Sequence, residues 1–446
     1  MKEHPLFPWD HYSDQPSIMR DKKLKRKIYL KAAFQMITSG CFLIFFPLII
    51  LLLLTKKSWK KSTSNKIIGL SVHVETECQG KTIVPLSQLK ELVDDRGINQ
   101  LLVRILLADI DNFDTYLEHI DALSNKDRDI SVNLIQNRLL LDDPKLLDEA
   151  LNKLLPLLKN RTKHIHVGNA YNRRKWAFYH FGEYQCFFRK VREISKKVSP
   201  KTKLIGGSVI DFEIPPLFES MFHFRRGHYD GYSSQLYVDR RGAPENTQAR
   251  FNFLRKINLI FLMQKLSWKT SGELWISEIN WPLRKTGKHA PCKGKALVTP
   301  QTQADYLARS YLITMASGKI RTCFWHQLVA PGYGLVDNRS KLPVKYPSYS
   351  AMKTINRFYS DAKIICFHEA CYLNNEGMYA LEASSIVNGK ETHITAIWSH
   401  YGDQQIDKDP HVVMWISQHG ETLSLGNETA VTIGSSVIYA LRESKS

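Results

Sequence analysis

Glu278 ends a short hydrophobic run, Leu274, Trp275, Ile276, Ser277, Glu278, Ile279, and Asn280, Trp281 and Pro282 follow it. A carboxylate so placed can attack the anomeric carbon of a sugar and hold a covalent intermediate, provided a second carboxyl group lies about 5 to 5.5 Å away to protonate the leaving oxygen. The surrounding candidates are mostly basic and aromatic. Asn172, Arg173, Arg174, Lys175 and Trp176 form one such segment, Gln136 and Arg138 a second, and Asp239, Arg240 and Arg241 a third. Planar guanidinium groups match carboxylates and phosphates bidentately, so this set suits an anionic ligand, or is solvated loop charge.

The elements that must carry these residues alternate. From Lys66 onward, strand-length apolar runs alternate with helix-length amphipathic stretches, the pattern of repeated βα units. Strands are predicted at Ile67–Val72, Leu101–Leu107, Ile130–Ile135, His164–Val167, Lys203–Gly207, Gly231–Tyr237, Glu273–Ser277 and Ile320–Trp325. Helices are predicted at Asp114–Leu123, Pro144–Leu158, Glu183–Lys197, Thr247–Leu266, Pro300–Ala316 and Tyr349–Tyr359. Asp143 and Thr299 are N-cap candidates, because Pro144 and Pro300 suit first helical positions. Eight strands in this order imply a closed parallel barrel with its site at the strands' carboxyl ends. After residue 361 the rhythm becomes strand upon strand, separated by Asn, Gly and Asp clusters, which reads as an antiparallel β domain over 362–446.

Residues 32–54 are an uncharged apolar run, long enough at about 1.5 Å per residue to cross a hydrocarbon core of roughly 30 Å. They are expected to be a transmembrane anchor, preceded by a basic cytoplasmic segment (1–31) and followed by a linker (55–65) and the barrel (66–361). Bases flank both ends, Arg20 to Lys31 on one side and Lys56 to Lys66 on the other, so the positive-inside tendency favours a cytoplasmic N-terminus and an exported barrel only mildly. The net charge of +19 is partly this collar. Seven cysteines are too few and too scattered for a disulfide framework, although a Cys366–Cys371 bridge across a turn is conceivable in an oxidising compartment. Phosphate-binding glycine loops and zinc spacings are missing, so no cofactor, metal or nucleic-acid partner is expected.

The stretch around Glu278 resembles the seventh-strand nucleophile motif of the clan A glycoside hydrolases, (β/α)8 barrels that often carry a C-terminal β-sandwich. The resemblance runs from about Lys66 to the C-terminus. It implies that Glu278 is the nucleophile, that Tyr237 on strand six bonds it and that Arg104 on strand two keeps it ionised. It also implies that Trp325 floors a sugar subsite and that Asn169 binds a sugar hydroxyl, with Asn172, Arg138, Arg240 and Trp281 as further substrate-binding candidates. In the family a Glu follows the strand-four Asn and serves as general acid/base; here Ala170 stands there. General acid/base help is worth about 10² to 10⁴ in rate. Glu75, Glu77, Asp109, Asp111, Asp211 and Glu213 are the candidate replacements. Two readings stay open: a membrane-anchored glycoside hydrolase-like protein acting on a cell-surface or envelope carbohydrate, or an inactive barrel that binds or helps assemble an anionic surface polysaccharide.

Overall fold

Eight parallel strands close on one another in chain order: β1 (Ile68–His73), β2 (Gln100–Leu106), β3 (Asp129–Ile135), β4 (His164–Val167), β5 (Lys203–Ile210), β6 (Gly231–Gln235), β7 (Leu274–Ile279) and β8 (Ile320–Trp325). This computed structural model of the chain describes residues 4–17, 21–24, 26–28, 30, 47, 49, 66–75, 81–238 and 242–443. Each strand is followed by a helix: α1 (Leu86–Asp94), α2 (Phe113–Leu123), α3 (Pro144–Leu157), α4 (Phe181–Val198), α5 (Ile214–Met221), α6 (Phe253–Leu266), α7 (Pro300–Ser317) and α8 (Pro347–Tyr359). The two expected caps are present. The Asp143 carboxylate accepts from the amides of Lys145 and Leu146, and the Thr299 hydroxyl from that of Thr302, at 3.0 to 3.2 Å. One expected boundary moves. Helix α6 begins at Phe253 rather than Thr247, because Ala249 and Arg250 take left-handed φ values and the Asn252 side chain caps the amide of Arg255.

Leu102, Ile205, Trp275 and Phe324, from four different strands, pack together inside the barrel. His166 meets Trp275 edge-on at 5.2 Å among them, and burial lowers its pKa to about 3, so this interior imidazole is neutral. The interior is therefore a filled core, and a ligand has access only at its ends.

Strict alternation from inward-facing Trp275 would send Glu278 outward. A register shift between Ser234 and Gln235 pairs Gln235 with Glu278, skips Ser277 and returns Glu278 to the inward set. Bulges of this kind commonly re-aim a side chain beside an active site. On β8 the inward Phe324 puts Trp325 outward and His326 inward by simple alternation.

After α8 the chain forms a five-stranded antiparallel sheet. Its strands are β9 (Lys363–His368), β10 (Met378–Val387), β11 (Lys390–Ser399), β13 (Met414–Ile416) and β15 (Ile438–Glu443), in the order β9-β10-β11-β15-β13. Strands β12 (Gln404–Asp407) and β14 (Ala430–Ile433) pair separately, and Met378, Ile397, Ile406, Trp415 and Val431 pack between the two layers. The domain is fixed to the barrel by a buried cluster in which Arg309 of α7 and Trp398 of β11 both hold the carboxylate of Glu245. Cys366 and Cys371 are free thiols, which corrects the conceivable bridge between them.

The uncharged run at 32–54 lies outside the described residues except for Pro47 and Ile49. Among the described residues no helix is long and apolar enough to cross a membrane.

Candidate active site

The carboxyl ends of β2, β6 and β7 bring three of the expected residues together. Tyr237 donates its hydroxyl hydrogen to Glu278 Oε2 at 2.9 Å. Arg104 is 1% exposed, and its charge acts on Glu278, Tyr237, His73 and His326. Burial raises the Glu278 pKa above the ordinary carboxylate value, against the opposing pull of Arg104, the Tyr237 hydrogen bond and Lys175. Glu278 Oε1 and the Nε and Nη1 of Arg104 are buried and make no hydrogen bond among the described residues. At the end of β4, Asn169 lies beside Gln235, whose amide donates to Asn169 Oδ1, while Asn169 Nδ2 has no such bond. Buried polar groups are normally satisfied by hydrogen bonds. Arg104 and Asn169 thus keep donors, and Glu278 an acceptor, that make no hydrogen bond among the described residues.

Two residues to which the resemblance assigns no role join this group. His326 faces it, stacked on Tyr333 at 5.4 Å, and its pKa is pushed well down by burial and by Arg104 and His73. Lys175, on the loop after β4, is the cationic neighbour of Glu278; burial and Arg173 lower its pKa to about 8. In the sequence Lys175 is one of a run of charged residues, and the larger Trp325 stands beside His326. The period-two inward pattern of β8 is the available signal for His326.

Four other candidates are placed differently. Trp325 and Trp281 are 0% exposed and stack on each other at 6.2 Å, with Trp281 also meeting Tyr306 of α7. Both belong to the layer between strands and helices rather than to a sugar subsite. Arg138 is bound to Asp142, Glu183 and the carbonyl of Ala177, and lies over the Tyr179 ring at 4.1 Å. Asn172 uses both ends of its amide on the backbone of Ile210 and on Glu213. These two hold loops together, because their fixed hydrogen bonds occupy the groups a ligand would need. Arg240, Asp239, Arg241 and Glu77 lie outside the described residues.

Ala170, which follows Asn169 after β4, is fully buried against Leu106, Ile135 and Trp176, with Trp9 and Ile210 at the edge. The alternative carboxylates are engaged elsewhere. Arg173 binds Asp211 at 2.5 Å and Glu213 at 2.9 Å, and Lys81 binds Glu75 at 3.1 Å. Asp109 accepts from Asn112 and Tyr116, and Asp111 is exposed.

The N-terminal segment also enters this region. Residues 9–16 form a small hairpin, with Trp9 paired to Pro16 and Asp10 to Gln15, and it lies against the loops at the carboxyl ends of the barrel strands. The sequence-based expectation sets residues 1–31 across a membrane from the barrel. A docked hairpin and a single crossing by 32–54 exclude one another within one molecule.

No protein-family model and no curated protein matches this sequence. Solved structures do. A family 39 glycoside hydrolase from the gut symbiont Bacteroides cellulosilyticus WH2 aligns over 86% of this chain and 81% of its own, with 16% identity and a TM-score of 0.60. A family 39 β-xylosidase from Caulobacter crescentus aligns over 87% and 98%, with 10% identity and a TM-score of 0.54. The family 39 enzyme from Xanthomonas axonopodis pv. citri aligns over 86% and 95%, with 11% identity and a TM-score of 0.53. At these identities the likeness establishes the fold alone, a (β/α)8 barrel with a β-rich C-terminal domain as in these glycoside hydrolases.

Proposed function

We propose that this protein binds a carbohydrate at the barrel mouth and retains a glycosidase-type nucleophile, Glu278, without the matching general acid. The observation that carries the reading is the bond from Tyr237 to Glu278 at 2.9 Å, beside buried Arg104 and Asn169 atoms that make no hydrogen bond among the described residues. With Ala170 in the acid's place, a glycoside whose leaving group must be protonated is a poor substrate. An acidic leaving group, such as the phosphate of a glycosyl phosphate, takes the electron pair of the broken C1–O bond and departs without protonation. The mouth's cations, Arg104, Lys175 and Lys81, favour an anionic sugar. On this reading the 32–54 run holds the chain at a membrane, and the ligand is a cell-surface or envelope carbohydrate. The second reading is a catalytically silent barrel that binds or helps assemble such a polysaccharide. The apolar packing around Ala170 favours it.

The experiment is covalent labelling with 2-fluoro glycosides bearing a dinitrophenyl leaving group, which needs no acid. It is run on the full chain and on Trp9→Ala/Asp14→Ala, in which the hairpin's hold is weakened. An adduct on Glu278 that is absent in Glu278→Gln supports the nucleophile. If a broad panel of neutral and uronic sugars labels neither protein, the nucleophile is abandoned in favour of the binding-only reading.

A further inference from the structure

The N-terminal hairpin touches loops on opposite sides of the barrel. Beyond β4, Trp9 meets the Trp176 ring edge-on at 5.9 Å and Phe7 meets Tyr179 at 6.1 Å. Beyond β7, the Gln15 amide donates to the Pro291 carbonyl at 3.1 Å and the Tyr12 carbonyl lies 3.3 Å from His289 Nδ1. Beyond β8, the Tyr333 hydroxyl lies 3.3 Å from both the Ser13 carbonyl and the Asp14 carboxylate. Beyond β1, Lys81 binds both oxygens of Asp14 at 3.1 Å. One short segment that reaches all four loops has to lie across the opening they surround. Its tip is inserted, with Ser13 3% and Asp14 5% exposed, and Glu278 beneath is 4% exposed.

The chemistry of the hairpin matches what the mouth would recognise in a sugar. Trp9 covers Trp176, a ring on which a sugar could stack, and Asp14 puts a carboxylate on Lys81 and Tyr333, close enough to contribute to the field on His73. Gln15 takes the ammonium of Lys175, the cation facing Glu278. We propose that the barrel mouth is a binding site for this chain's own residues 4–17, and that the docked hairpin and an anionic carbohydrate exclude one another. The hairpin is then an intramolecular plug, and Glu278 becomes reachable when it leaves. The proposal rests on the carbohydrate reading for the identity of the competitor, but the docking itself does not.

The test separates the two. In the full chain, Ala170→Cys places a thiol beneath Trp9, and its alkylation is followed by peptide mapping, with exposed Cys186 as reference and buried Cys323 as the sign of global unfolding. Adding Trp9→Ala/Asp14→Ala is expected to speed alkylation at position 170 tenfold or more while Cys323 stays protected; an unchanged rate overturns the plug. Because that double variant can unfold the chain, a second arm tightens the contact instead. Gln15→Cys puts a thiol on the hairpin facing the loop of native Cys292, whose neighbour Pro291 accepts from Gln15 in the native chain. Oxidation is expected to join them, to protect the introduced thiol at position 170, and to slow the reaction of Glu278 with the dinitrophenyl 2-fluoro glycoside tenfold or more, all reversed by reduction. Failure of the disulfide to form, or protection no greater in the oxidised chain, overturns the docking. A protein in which position 170 responds as expected but Glu278 never reacts keeps the plug and removes the nucleophile.

Discussion

The two halves of the barrel mouth are built on opposite principles. On the β2, β6 and β7 side, Glu278, Tyr237 and Arg104 are buried polar groups, and several of their atoms make no hydrogen bond among the described residues. Toward β3 and β4, Ala170, Ile135 and Trp176 pack with the last residue of β2, Leu106, into an apolar cluster, and the cations around them, Arg138 and Arg173, are already bound to carboxylates. A buried cation with its partners in place is scaffolding. A buried cation without them, such as Arg104, is desolvated at a cost that only a ligand or a neighbouring charge can offset. The side that holds Glu278 keeps this form, and the side that holds Ala170 is packed core.

The largest test of that contrast is Ala170→Glu. If strand four merely lost its acid, the substitution would restore hydrolysis of unactivated glycosides. The packing predicts instead that a carboxyl group there displaces Trp9 or Trp176 or stays buried without a partner. The expected loss is roughly 3–5 kcal/mol of stability in urea unfolding, with no hydrolysis gained. In a Trp9→Ala background, where water can reach position 170, the loss should be smaller. Unchanged stability together with new hydrolysis would make the two halves alike.

A pair of arginine substitutions comes next. Arg138→Met removes bonds to Asp142, Glu183 and Ala177 and should cost about 1–3 kcal/mol, while leaving carbohydrate affinity within about twofold. Arg104→Met should do the reverse. It removes a buried charge that lacks hydrogen bonds at Nε and Nη1, so stability holds or rises, but the reaction of Glu278 slows by about 10² because its flanking cation is gone. Equal effects of the two on binding would erase the distinction between scaffold and site.

That distinction explains what the sequence could and could not reveal. Strand and helix periods locate the barrel to within a residue or two at most boundaries, because apolar runs and caps such as Asp143 and Thr299 act locally. The placement of Glu278, Tyr237 and Arg104 comes through the resemblance, and the geometry brings them together. Trp325 and Trp281 mislead because a strand-end aromatic looks the same in sequence whether it faces the barrel axis or the helices. The β7 register shift, which decides that direction for Glu278, leaves no mark in composition. Arg138 and Asn172 mislead because their partners, Glu183 and Ile210, lie about 40 residues away in sequence. The hairpin is hidden for a related reason, since the contacts of residues 9–16 are with loops as distant as Tyr333.

The smallest predicted effect lies within the polar half and concerns pH. Burial raises the Glu278 pKa, and the carboxylate is the form that attacks, so the labelling rate should fall as pH drops through a midpoint above the ordinary carboxylate value. Tyr237→Phe removes a hydrogen bond that favours the charged form. The midpoint should then move up, and the rate at neutral pH should fall severalfold while the rate at high pH changes less. Folding has the opposite sign. A carboxyl group whose pKa is higher in the folded chain stabilises it fully below the unfolded carboxyl pKa, and that contribution is lost as pH rises through the folded value. Glu278→Gln should therefore flatten the decline in stability over that window without lowering stability at neutral pH. A midpoint moved down by Tyr237→Phe would mean that the tyrosine bond favours the protonated carboxyl, and a decline steepened by Glu278→Gln would mean that Glu278 is held as a carboxylate by its neighbours, so that the polar half resembles the ion-paired half facing it.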